Sequence, residues 1–165
     1  MASGDTLVVF TPLHNEPPTT NFATLDTRNS HPVLDFDKDT DESALFSGIM
    51  PRHYAGGGVI VMLVWMATAV TTNEVVWNAQ FERHADDAFD LDSDGFAAVQ
   101  ASAAVTAPSA SGEVSYDDIT FDDGAEMDSV AAGESFRLKV IRDANNGADD
   151  LDNDAELLRV EIREA

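Results

Sequence analysis

The chain has 165 residues, enough for one domain with a sizeable core, and carries 31 acidic against nine basic side chains for a formal net charge of −22. Such a surface repels phosphate backbones and anionic bilayers, and no basic cluster offsets it, which argues against nucleic-acid and membrane partners. The absence of cysteine removes disulfides, thiolate nucleophiles and thiolate metal sites together.

Strand signals recur along the chain at 6–10, 22–25, 33–36, 43–49 and 59–69, then at 74–83, 97–105, 112–121, 135–142 and 157–163. Each is bounded by Gly, Pro, Asn or Asp clusters. The N-terminal MASGDTLVVF lacks the basic n-region and long apolar core of a secretory signal, so a soluble protein with no encoded export is expected. PLHNEPPTTNF follows with Pro12, Pro17 and Pro18, which favour extended backbone and few ladder bonds. Residues 1–32 are therefore read as an extended N-terminal arm with a short strand, and 33–165 as the domain proper.

The stretch 59–66 is apolar at every position, so either the chain covers both its faces or another chain covers one. The apolar run 59–70 is too short to span a bilayer, which takes roughly 20 residues. Residues 74–83 alternate cleanly. Val75, Trp77, Ala79 and Phe81 point one way, and Val76, Asn78, Gln80 and Glu82 the other. Phe136, Leu138 and Val140 alternate with Arg137, Lys139 and Ile141, and Leu158, Val160 and Ile162 with Arg159, Glu161 and Arg163. No segment offers a capped helical stripe. Many short strands without a long helix predict an all-β chain, a single jelly-roll-type β-sandwich, with immunoglobulin-like topology left open. Its inner faces should hold Trp77, Phe81, Phe136, Leu138, Leu158, Val160 and Ile162.

DLDSDGF copies the start of an EF-hand loop through Asp90, Asp92, Asp94 and Gly95. The closing bidentate Glu is missing, because Ala101 stands at the twelfth position, and no helices flank the loop. An EF-hand is rejected. The reading is an acidic turn, with a calcium-bound interstrand loop as the weaker alternative. Asp149, Asp150, Asp152 and Asp154 in DANNGADDLDNDA invite the same two readings. No cofactor is expected.

His14, His31, His53 and His84 lie in four separate segments without ligand spacing. No serine sits in GxSxG. Gly56, Gly57 and Gly58 lack the lysine and helix of a phosphate cradle. Asp35 and Asp37 form a carboxylate pair of the kind glycoside hydrolysis uses, but among 21 aspartates a pair carries no weight. No catalytic constellation emerges, and an enzyme is not expected. Trp65 and Trp77 read as core. Tyr54 and Tyr116 join them as the aromatics from which a sugar platform would be drawn. Three readings of the acidity stay open: solvated surface acids, saline surroundings, and docking onto a cationic partner or divalent ions.

The order SGIMPRHYAGGGVIVMLVW, VVWNAQFERH, SVAAGESFRLKVIRDA and DAELLRVEIRE resembles small β-sandwich proteins of tailed bacteriophages. The resemblance runs from about Val33 to the C-terminus and transfers no functional residue. It implies a virion structural protein, foremost a capsid decoration or cement protein, assembled in the host cytoplasm and located in the virion. Its partners would be copies of itself, with a trimer matching a capsid threefold, and the major capsid protein. The alternative is a carbohydrate- or receptor-binding module of a tail or head fibre.

Overall fold

A computed structural model describes residues 4–69 and 72–165; Val70, which ends the apolar run, lies outside them, as do residues 1–3. The described residues form strands β1 (Thr6–Phe10), β2 (Thr24–Arg28), β3 (His31–Phe36), β4 (Glu42–Ile49), β5 (Val59–Ala67) and β6 (Glu74–Val75). These are followed by β7 (Trp77–His84), β8 (Gln100–Ala101), β9 (Val105–Thr106), β10 (Ser115–Phe121), β11 (Ser135–Arg142) and β12 (Ala155–Glu164). The helical content among them is two 3₁₀ turns, Pro12–His14 and Ala125–Met127. The chain is all-β, a jelly-roll-type sandwich.

The larger sheet runs β10-β5-β12-β3-β2, with β1 also paired to β12, and the smaller runs β4-β11-β7-β8. β6 and β9 make a two-stranded clip at one end. Every ladder is antiparallel, as consecutive short strands with turn-rich connections favour. The segment read as an arm contributes β1 and β2 to the larger sheet, and between them it crosses beside β4, where Glu16 N–H donates to the Leu45 carbonyl at 2.8 Å.

The alternating residues of β7 and β11 meet those of β5, β10 and β12 across the interior. Trp77 packs edge-on against Phe36 and Trp65, with ring centroids 5.1 and 5.9 Å away. Phe81 does the same to Phe121 of the facing sheet at 4.9 Å and touches Phe136 beside it at 5.5 Å. Edge-to-face pairs at these separations add attraction beyond their buried area.

Leu158 departs from the expected inner set. A β-bulge between Leu157 and Arg159 shifts the register against β5, so Leu157 takes the buried place and Leu158 turns outward. An extra residue in one strand reverses the facing of the residues after it, and simple alternation reads straight through such a site. The expected strand at 97–105 is also broken. β8 and β9 are two residues each, and between them Ser102 bonds the Trp77 backbone twice, through its amide at 2.7 Å and its hydroxyl at 3.0 Å. The small side chains of ASAAV, residues 101–105, offer a longer strand little to pack. Gly58 is held at φ +90°, where a Cβ would stand 2.6 Å from the Phe121 carbonyl, so the glycine run serves entry into β5 rather than phosphate binding.

Candidate functional site

Outward residues of β5 form the stripe Ile60, Met62, Val64 and Met66, flanked in register by β10 and β12. The chain itself covers part of this second apolar face. Arg163 reaches across Met62, its guanidinium 3.3 Å from the sulfur, to pair with Asp118 and approach Glu161 at 3.7 Å. Beyond that roof the stripe opens into a cleft of about 390 Å³. Met66, Val114 and the bulged Leu158 give it apolar walls, and Arg28, Asn29, His31 and Ser111 supply polar ones.

Local sequence explains this assembly. Asn29 and Ser30 both have positive φ, 46° and 66°, the geometry of a tight type I′ hairpin turn, so RNSH sets Arg28 and His31 side by side. Arg28 is then fixed by Glu156, by the Ala67 carbonyl at 3.2 Å and by Ser111 Oγ at 2.7 Å. Gly112, at φ +80°, lies so close that a Cβ there would sit 3.3 Å from the guanidinium.

Tyr116, in β10 and two residues after the cleft-lining Val114, stands opposite Val64 of the stripe. It is 68 % exposed, so its ring lies open on the face that carries the cleft. Its hydroxyl, the Asn29 carboxamide and His31 Nε2 take no hydrogen bond from the described residues. An open aromatic face, apolar walls and unspent donors and acceptors together suit a polyhydroxylated ligand. The other aromatics considered from sequence do not serve. Tyr54 is buried, its hydroxyl accepting from Gly58 N–H at 3.1 Å, and both tryptophans are core.

Several carboxylates of the acidic motifs fasten nearby backbone and side chains. Asp90 accepts from Asp92 N–H at 3.0 Å and Ser93 Oγ at 2.9 Å, while Asp94 accepts from Asp90 N–H at 2.8 Å. The bonds from Asp92 and Ser93 hold the Asp90 carboxyl below its usual pKa. Asp149 is clasped by Arg142, Asp150 accepts from Glu74 N–H at 2.6 Å, and Asp154 from Lys38 N–H at 2.9 Å. Among the described residues Asp152 accepts only from the side-chain amide of neighbouring Asn153, at 3.2 Å. Among the described residues no three His, Asp or Glu converge on a metal position.

Asp35 is a carboxyl pushed far upward. It faces Glu156 in register and is half-buried, and desolvation, then repulsion from Asp154 and Glu156, raises its pKa to about 6. The folded state therefore holds this proton more tightly than the unfolded chain. Its contribution is full below the ordinary value of 3.8 and is lost as pH rises through about 6. Asp35→Asn should stabilise the protein at pH 7 by about 1–2 kcal/mol, after allowing for screening of a half-exposed group. The gain should shrink toward pH 4. Urea melts of both proteins at several pH values test this, and a gain independent of pH would refute it.

No protein-family model matches the chain, and no curated protein sequence does. Solved structures do. Over 99 % of its length the chain is similar to part of BtGH115A, a family GH115 4-O-methyl-α-glucuronidase with specificity for decorated arabinogalactans (TM-score 0.56, 11 % identity). It spans only 18 % of that chain. It is also similar to the CBM22-2 xylan-binding domain of Xyn10C from Paenibacillus barcinonensis, with TM-score 0.51 and 14 % identity over 92 % of both chains. At such identities these likenesses establish the fold alone, a β-sandwich.

Proposed function

We propose that this protein is a non-catalytic carbohydrate-binding β-sandwich module that takes glycan chains at the Tyr116 cleft. The observation that carries the reading is the exposed Tyr116 ring on the face that carries a cleft with apolar walls and polar neighbours. A sugar's C–H face stacks on such a ring while its hydroxyls meet Asn29, His31 and Arg28. End-to-end similarity to a xylan-binding domain supports it. Affinity electrophoresis and calorimetry against a panel of neutral polysaccharides should find a ligand. Tyr116→Ala should weaken that binding at least tenfold, about 1.4 kcal/mol, since a stacked aromatic anchor dominates small interfaces. Its melting temperature should hardly move, because the side chain is exposed. No retardation by any polysaccharide, or unchanged affinity in the variant, would overturn the reading.

A second reading, a bacteriophage virion component that self-associates and contacts the major capsid protein, draws on a different surface. Leu13, Phe22 and Leu25 are exposed together where the proline-rich segment meets edge strand β2. Exposed apolar patches on an unpaired edge favour association. Sedimentation showing a trimer that Leu25→Asp dissociates would favour this reading, and a monomer at high concentration would count against it.

A further inference from the structure

The outer face of the smaller sheet holds a second constellation. Arg137 and Lys139 stand two residues apart on one face of β11, with Glu82 and Gln80 opposite them on β7. The Phe96 ring centroid lies 5.9 Å from the Arg137 guanidinium carbon and 5.7 Å from Lys139 Nζ, near the outer limit of a cation–π contact. The ring thus borders both cations without sealing them.

Arg137 is only loosely countered and Lys139 is not countered among the described residues, in a chain where acids outnumber bases 31 to nine. Elsewhere Arg28 is paired with Glu156, Arg83 with Glu134, Arg142 with Asp149 and Arg163 with Asp118. Arg137 makes no hydrogen bond to the described residues. Its nearest carboxylate oxygens, on Glu16 and Glu82, stand 3.8 and 4.0 Å away, and its Nε is buried without a partner. Glu16 accepts instead from Ser47 at 2.8 Å, and Glu82 lies 3.0 Å from His84. Lys139 has no carboxylate within 4 Å among the described residues. One row further along the face, Asn78 Oδ1 is also buried and unpartnered. Arg137 therefore keeps a buried donor unmet beside two loosely placed carboxylates, and Lys139 keeps its charge without a close counter-ion, so an anion reaching both would satisfy them.

The geometry points to a second ligand site for a carboxylate-bearing sugar, a uronic acid unit in an otherwise neutral glycan. Arg137 and Lys139 hold the carboxylate, charge-assisted bonds being the strong ones. Phe96 lies against the ring, and Gln80 meets a hydroxyl. A densely charged polymer is excluded, because the net charge of −22 repels it beyond the reach of these two cations. The choice of a sugar as carrier rests on the carbohydrate reading; the cation pair does not, and it is separate from Tyr116.

The test uses the Tyr116→Ala protein, so that the first cleft is silent. It is titrated by calorimetry and NMR with a glucuronate-bearing oligosaccharide and with the same oligosaccharide reduced to the alcohol. The acid form should bind about tenfold more tightly or better. That preference should vanish in Lys139→Gln, in Arg137→Gln/Lys139→Gln, and in 1 M salt, with melting curves confirming that each variant is folded. Equal binding of the two forms, no binding of either, or a preference that survives Lys139→Gln would overturn the inference. Competition by acetate as strong as by the acid sugar would also overturn it, leaving a generic carboxylate site. Binding of neutral glycans by the unmodified protein is read separately, so either proposal can fail without the other.

Discussion

Replacing Asp149 with alanine should destabilise the protein by about 3–5 kcal/mol, because it strands a buried guanidinium. Arg142 ends β11 on its inner side with a side chain 0 % exposed, and Asp149 is 1 % exposed. The guanidinium donates to both Asp149 oxygens at 3.0 and 3.2 Å, to the Leu151 carbonyl at 2.8 Å and to the Asn153 carbonyl at 2.9 Å. Asp149 also accepts from Val76 N–H at 3.1 Å, so the pair ties the loop after β11 to the chain entering β7. Removing the carboxylate leaves a buried cation without its counter-ion. Removing both charges with Arg142→Met/Asp149→Leu should cost less than the sum of the single changes, since no charge is then left alone. Denaturant midpoints for the four proteins close this cycle, and additive costs would show that the pair is not coupled.

Most of the strand inventory was legible because alternation at period two is a local property. Residues 74–83 and 135–142 needed only the rule that successive side chains face opposite ways. The fate of the apolar stretch 59–66 was not legible, because the cover over its outer face comes from Arg163, 101 residues beyond Met62, and from strand order. The role of Arg142 was not legible for a related reason. Only the fold brings Asp149 and two carbonyls around it. The Tyr116 cleft was half legible. The tyrosine stood out as one of two, but its exposure, the bulge that turns Leu158 outward and the hairpin that pairs Arg28 with His31 all depend on register. RNSH did carry a signal, since Asn-Ser between strand-like residues tolerates the positive φ a tight hairpin needs. The phage resemblance rested on strand and turn patterns alone, which many β-sandwiches share, so it reached the fold more securely than the role.

Phe81→Ala should cost about 3–5 kcal/mol, the range for emptying a large aromatic site in a packed core. Phe81 is fully buried at the middle of the interior and is shared by both layers, touching Phe121 from the larger sheet and Phe136 from the smaller. These neighbours belong to strands locked in register, β10 on β5 and β11 between β4 and β7, so they cannot collapse into the void. The cavity persists and the lost contacts are not replaced. For a domain of this size the melting temperature should fall by about 6–20 °C. Phe81→Leu fills most of the volume and should lose less than half as much. Both proposed ligand surfaces lie on outer faces, so at temperatures where the variant stays folded any glycan binding should match that of the unmodified protein. Lost binding in folded Phe81→Ala would mean that the outer faces depend on core packing more closely than these contacts indicate.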